Sequence, residues 1–291
     1  AIWSPNLIWN VHHHWAALSM LHSLQQENST LKASLTFIPA QLIINGPVLI
    51  PVWMGGLRLL LRHEIGRPLA IAYVTLLILD TVTGAKPYYL GGMYFVLFAA
   101  GGIWVERRLA ARASPRRLTR RVAVMVVGAA VATPLALPVL PAAALATGSW
   151  EGQINKDLSA TVGWPEMVKQ VAAVADRLSP ADRAHLVIFT GDYGAAGAVD
   201  LYGGGDGLPR AISGHNTYWW WGPGTAPDDS TTIAVNLPRS YLETIFAQVT
   251  PAGSVETPGG VWTEERGDPI WVCRQQKETW AQAWPAAKHY G

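Results

Sequence analysis

Half of the 291 residues are hydrophobic and only 14% are charged, with a mean hydropathy of +0.17, a balance too poor in charge for an ordinary soluble protein of this size. The net charge of +2 comes largely from an Arg cluster between apolar runs, which fits a membrane loop better than a nucleic-acid surface, so no nucleic-acid partner is assigned. The single cysteine, Cys273, excludes an internal disulfide and a cysteine-based metal site, and reads as a small core residue in a strand. Acidic residues are nearly absent before Trp150 and frequent after it, so the apolar excess belongs to the first half and two domains are expected.

The opening stretch, residues 1–34, carries apolar residues at helical spacing among Trp, His, Asn and Gln, and reads as an interfacial helix too polar to span a bilayer. It begins at Ala1 and lacks the basic and apolar regions of a signal peptide, so the chain reads as part of a longer protein. His12, His13 and His14 are consecutive; on a helix they diverge by about 100° each and cannot converge on one ion, so no metal is assigned. Four transmembrane helices are then expected within residues 35–142. Leu35 to Leu61 is interrupted by three prolines, Pro68 to Val82 is short and carries Asp80 near its end, and Tyr88 to Val105 holds two Gly-Gly pairs suited to close helix approach. Val122 to Leu140 is the fourth. Asp80, costly in a membrane unless paired or wet, reads as functional or as a partner for a nearby cation. The loop holding Arg107, Arg108, Arg112, Arg116, Arg117, Arg120 and Arg121 is expected to be cytoplasmic, as is the Arg58 to Arg67 loop, which places the Lys86 turn and everything after Pro141 outside.

Residues 143–291 carry the pattern of a small α/β domain with a mainly parallel sheet. Helices are expected over Pro165 to Leu178, after the Thr190 to Gly197 turn through Leu201, over Ser240 to Ala247 and over Thr279 to Lys288; strands over Leu186 to Phe189, Thr231 to Val235 and Ile270 to Cys273. The glycine-rich turn Thr190 to Gly197 could cradle an anion or simply join a strand to a helix, and its glycines match neither a dinucleotide fingerprint nor a Walker loop. Ser213-Gly214-His215-Asn216 followed by Trp219, Trp220 and Trp221 combines hydrogen-bonding groups with flat apolar faces, the chemistry of a sugar or membrane contact. At least one of the three Trp is expected to be exposed. No nucleophile elbow is present.

Between the second and third apolar runs lies Thr83-Gly84-Ala85-Lys86-Pro87-Tyr88-Tyr89, a cation with two amphipathic rings at a lipid-water boundary. It could hold a lipid phosphate, or Lys86 could snorkel while Tyr88 and Tyr89 belong to an aromatic belt. Together with Asn6-Leu7-Ile8-Trp9, His14-Trp15, Gly46-Pro47-Val48-Leu49, Ser213-Gly214-His215-Asn216 and Pro269-Ile270-Trp271-Val272-Cys273, this turn resembles the bacterial family 39 glycosyltransferases, multi-spanning enzymes of the protein-O-mannosyltransferase-like group. The resemblance covers nearly the whole chain and implies sugar transfer from a polyprenyl-phosphate donor to an acceptor outside the bacterial cytoplasmic membrane, by direct displacement with an acidic base and no cofactor. It implies that Lys86, Tyr88 and Tyr89 hold the donor phosphate and that His14, Trp15, His215 and Asn216 face the substrate cavity. The family's base lies in an early extracytoplasmic loop that this chain is expected to begin after, so no catalytic residue is assigned. The rival reading is a non-enzymatic, membrane-anchored protein that binds glycans or other envelope components.

Overall fold

The computed structural model describes residues 2–28, 31–110, 115–137, 139, 141–145 and 159–290. Two compact units divide the chain, Ala1–Val139 and Leu140–Gly291. The expected domain start near Trp150, Arg112 of the basic loop and the end of the fourth run at Leu140 lie outside the described residues.

The first unit is helical: α1 Ser4–His12, α2 Ala16–Asn28, α3 Leu31–Ile44, α4 Ile50–Arg62, α5 Arg67–Thr83, α6 Gly91–Ala110 and α7 Pro115–Ala136. The expectation of four spans is not met. Among the described residues one helix, Pro87–Arg108, is long and apolar enough to cross a membrane, and a bent pair, Ser34–Ile44 with Pro47–Arg62, passes the same test only if taken together across an 81° bend. The reasons are local. Gly46 turns left-handed at φ +77° and the 3-10 turn Pro47–Leu49 follows, so the first run breaks into α3 and α4. Helix α5 has 17 residues, about 26 Å of rise against a hydrocarbon core of about 30 Å. Helix α7 has 22 residues, but its first two turns carry arginines, leaving an apolar stretch of only about 22 Å after Arg121.

Helices α4 and α6 cross in close contact, antiparallel. A Cβ on Gly56 would collide with the Leu97 carbonyl and one on Gly101 with the Val52 carbonyl, so backbone meets backbone where only glycine fits. Of the glycine pairs expected to permit such approach, only Gly101 does so; Gly91, Gly92 and Gly102 face open space. Under this crossing Phe37, Trp53, Tyr73, Leu90, Tyr94 and Leu97 form one buried cluster. The same packing revises the topology argument. Arg108 and Arg120 line a cavity of about 450 Å³ with Val48, Pro51 and Val52 at the start of α4, whereas Arg62 lies at the other end of that helix, about 15 Å of rise from Val52. The two basic regions thus flank opposite ends of α4, and their shared placement on one membrane face loses its support.

The second unit stacks helices on both faces of a five-stranded sheet. Its elements are α8 Trp164–Asp176, α9 Pro180–Ala184, β1 Val187–Thr190, α10 Tyr193–Tyr202, β2 Ala211–Ser213, α11 Thr217–Trp221, β3 Thr232–Val235, α12 Arg239–Ile245, β4 Phe246–Ser254, β5 Pro269–Gln276 and α13 Trp280–Ala287. Strand order is β2-β1-β3-β5-β4. β1 pairs in parallel with β2 and β3, but β5 runs antiparallel to both β3 and β4, so the sheet is mixed rather than mainly parallel. The correction has a simple cause: residues 246–254 form a strand that hairpins onto β5, which a helical reading of Ser240 to Ala247 conceals. Every residue of β1 and β3 is buried because both faces are covered. Ile188 and Ile233 face Met167, Val171 and Val199 of α8 and α10, and Val187, Phe189 and Cys273 face Leu242, Phe246, Trp280 and Trp284.

Candidate functional site

The Lys86 turn is built between the end of α5 and the start of α6. Gly84, at φ +66°, ends α5 in the left-handed conformation, and the Ala85 N–H returns to the Asp80 carbonyl at 2.9 Å. Asp80 thereby serves the turn through its backbone. Lys86 is extended (φ −67°, ψ 133°) and exposed, and Pro87–Leu90 forms a 3-10 turn that runs directly into α6. From beneath, the buried Gln41 donates from Nε2 to the Pro87 carbonyl at 2.8 Å and accepts from the Tyr94 hydroxyl at 3.0 Å, which in turn lies 3.2 Å from the Tyr73 hydroxyl. A polar chain of this kind inside an apolar cluster is stable only when each member is paired, and its pairing fixes the turn's height above the core. Above it Tyr88 and Tyr89 stand edge to face, 5.2 Å apart and each slightly more than half exposed. Together these groups offer a cation, two amphipathic rings and the positive end of α6 on one surface.

His14 and Trp15 occupy the break between α1 and α2, both with left-handed backbone, φ +52° and +58°. Buried Asn10 holds this break: its carbonyl accepts the Trp15 N–H at 2.7 Å and its side-chain oxygen the Ala17 N–H at 3.1 Å. His13 turns back to stack on Trp9 at 4.2 Å. Among the described residues no group of three or more His, Cys, Asp or Glu side chains is placed to hold a metal ion.

His215 and Asn216 lie in the second unit, at the carboxyl ends of the parallel strands. The His215 Nδ1 accepts the Tyr193 N–H at 3.3 Å, so the ring proton sits on Nε2, which is buried with no hydrogen-bond partner among the described residues. Burial, and then the neighbouring charge of His289, hold the His215 pKa below its ordinary value against an opposing pull from Asp192. His289, unmarked by any sequence motif, stacks on His215 at 4.8 Å and places its ring nitrogens 2.8 Å from the Ala287 carbonyl and 2.7 Å from the Gly191 carbonyl. Asn216, at φ +52°, gives its N–H to the His289 carbonyl at 3.0 Å.

The glycines of both motifs are explained by this packing. A Cβ on Gly191 would strike the Asn236 carbonyl, and one on Gly214 the Ala287 carbonyl. The Thr190 to Gly197 turn is capped internally, with Asp192 accepting from Ala195 N–H at 2.7 Å and from Asn236 at 3.0 Å, so it joins strand to helix without needing an anion. Beside it, a cavity of about 300 Å³ opens between the ends of β1 and β3, lined by Gly191, Asn236, Tyr241, Lys288 and His289. β1 connects to β2 on one side and β3 lies on the other, so this is the crevice where open α/β sheets bind ligands. Asp268 lies at the same sheet end, and burial, followed by Asp192 and Glu265, pushes its pKa up to about 6.

The structure therefore assigns the expected site residues to two groups: His14, Trp15, Lys86, Tyr88 and Tyr89 in the first unit, His215 and Asn216 in the second. Comparisons with protein-family models, with curated proteins and with solved structures returned no match.

Proposed function

We propose that this chain belongs to a membrane glycosyltransferase that takes a sugar from a polyprenyl-phosphate carrier and delivers it to an extracytoplasmic acceptor, with the carrier phosphate held at the Lys86 turn. The observation that supports this reading most directly is the turn itself. An exposed Lys86 and two exposed Tyr rings are clamped from below by Gln41 at the start of Pro87–Arg108, the helix with the length and apolarity to cross a membrane. A phosphate on a lipid chain meets there a cation at the positive end of α6, while its first isoprene units meet ring faces.

In the proposed reaction the bond between the anomeric carbon and the carrier phosphate oxygen breaks, and its electron pair stays on that oxygen. The phosphate thereby gains a unit of negative charge as the acceptor oxygen forms the new bond. An ammonium beside it is attracted more strongly in the transition state than in the ground state, so Lys86 serves departure as well as binding. The acceptor's proton passes to a base that is assigned to no residue of this chain.

Native mass spectrometry of the detergent-solubilised chain, titrated with undecaprenyl phosphate or with phosphatidylglycerol, tests the reading. Loss of a charge-assisted contact of about 1.5–3 kcal/mol should weaken undecaprenyl phosphate binding about 10- to 100-fold in Lys86→Ala. Lys86→Arg should recover part of it, because a planar fork on a longer stem replaces a compact ammonium. Equal affinity of wild type and Lys86→Ala, or no preference over phosphatidylglycerol, would overturn it.

A further inference from the structure

At the amino ends of β1 and β2, opposite to the crevice described above, a cleft of about 470 Å³ is lined by Asp200, Arg210, Tyr218, Trp221 and Thr225. We infer that this cleft binds a neutral pyranose unit of a glycan.

The indole of Trp221 is 68% exposed, and looseness of its helix does not explain that exposure. Helix α11 is pinned on its other side: Trp219 Nε1 donates to the Trp284 carbonyl and Trp284 Nε1 to the Trp219 carbonyl, each at 2.9 Å. The Lys288 ammonium lies 4.4 Å from the ring centres of both Trp219 and Trp220. Two of the three consecutive Trp thus hold the helix, and the third is presented outward. Tyr218 packs against Trp221 with ring centres 4.6 Å apart, and its hydroxyl donates to Asp200 Oδ2 at 3.4 Å.

Asp200 is the fixed polar group of the cleft. Its Oδ1 accepts the Ala211 N–H at 2.8 Å, which locks the carboxylate to the edge strand β2. The Arg210 Nε lies 3.7 Å from Oδ2 on a side chain that is 91% exposed, whereas the Asp200 side chain is 16% exposed. A largely buried acceptor and a reachable donor therefore flank an exposed flat ring.

Those three features match the two faces of a pyranose. Its C–H face stacks on an indole, and its hydroxyl edge both donates to a carboxylate and accepts from a guanidinium. The nearly balanced charge of Asp200 and Arg210 selects against phosphate, which would meet Asp200, and against a bare cation, which would meet Arg210. The inference is independent of the Lys86 reading, since it concerns a different unit and requires no transfer chemistry.

Saturation-transfer NMR on the full chain in detergent, with neutral disaccharides of gluco, galacto and manno configuration at millimolar concentration, provides the test. At least one configuration should receive saturation on its ring C–H protons. Trp221→Ala should weaken that response about tenfold, through loss of the stacking face. Arg210→Ala should weaken it about threefold, as expected for an exposed charge. Both side chains are exposed, so both variants should keep the wild-type circular dichroism, and Lys86→Ala should bind the saccharide as wild type does. No saturation transfer to any configuration would overturn the inference, as would an unchanged response in Trp221→Ala. Binding of extended peptides in place of saccharides would also overturn it, pointing instead to strand addition at the β2 edge.

Discussion

If Gln41 sets the Lys86 turn, replacing it by leucine should loosen that turn before it disturbs the helices around it. Leucine is close in volume, so the change removes hydrogen bonds more than packing. The turn loses one directly, the 2.8 Å bond to the Pro87 carbonyl, worth about 1 kcal/mol net. The Tyr94 hydroxyl loses Gln41 as acceptor but keeps Tyr73 at 3.2 Å, which limits the total cost to about 2 kcal/mol rather than the larger penalty of an orphaned buried group. The Tyr89 amide, bonded to the Lys86 carbonyl at 3.1 Å, reports turn opening. Its hydrogen exchange should accelerate about fivefold in Gln41→Leu, the factor that corresponds to 1 kcal/mol. Tyr94→Phe spares the Gln41 to Pro87 bond and should change that exchange by less than about twofold. A turn that is already more than nine-tenths formed loses little ligand affinity for such a change, so undecaprenyl phosphate binding should fall by about twofold or less, far below the effect of Lys86→Ala. Unchanged Tyr89 exchange in Gln41→Leu would refute the argument that this residue positions the turn; so would equal acceleration along the whole of α3 and α6.

Two further outcomes concern the second unit. Gly214→Ala places a methyl inside the Ala287 carbonyl, where no rotamer can relieve it, and should destabilise the unit by about 3 kcal/mol, lowering its melting temperature by about 6–12 °C. Gly204→Ala, which meets open space, should change it by less than about 2 °C, and equal effects of the two in a calorimetric scan would contradict the packing argument. Asp268 ionises at about 6 when folded against 3.8 in its unperturbed state, so its charge costs stability that is absent below about pH 4 and complete above about pH 6. The shift corresponds to at most about 3 kcal/mol, and the solvent contact of a half-buried carboxyl reduces that to about 1–2 kcal/mol. Asp268→Asn should therefore stabilise the chain at pH 8 and leave it unchanged at pH 3.5; equal denaturation midpoints at pH 8 would show that this carboxylate is relieved by a partner.

The sequence by itself determined the elements whose signals are local. The apolar runs at Val187–Thr190 and Thr232–Val235 announce strands buried on both faces, because four consecutive apolar or β-branched residues between turn signals suit a covered sheet. Trp164–Asp176 follows from Pro165 at its first turn and apolar residues at helical spacing, and Pro87–Arg108 from its unbroken apolarity. The exposure of one of three consecutive Trp was also legible, although they lie on a short helix rather than an extended strand.

Only the tertiary structure decided how many apolar runs have spanning length, which way the sheet runs and what surrounds the motif residues. Composition records how much apolar sequence is present, but left-handed Gly46 and the arginines in the first turns of α7 decide where each helix breaks or turns polar. Three-residue β2 exists because β1 and Asp200 hold it and is too short to declare a period; nine-residue β4 exists because β5 pairs with it, and its buried and exposed residues do not alternate. Gly214 and Gly191 owe their identity to carbonyls 73 and 45 positions away in the sequence, at Ala287 and Asn236. His289 and Tyr241, which share a crevice with Gly191, have no motif at all, because a lining group is selected by the shape it meets after folding and not by its neighbours in the chain.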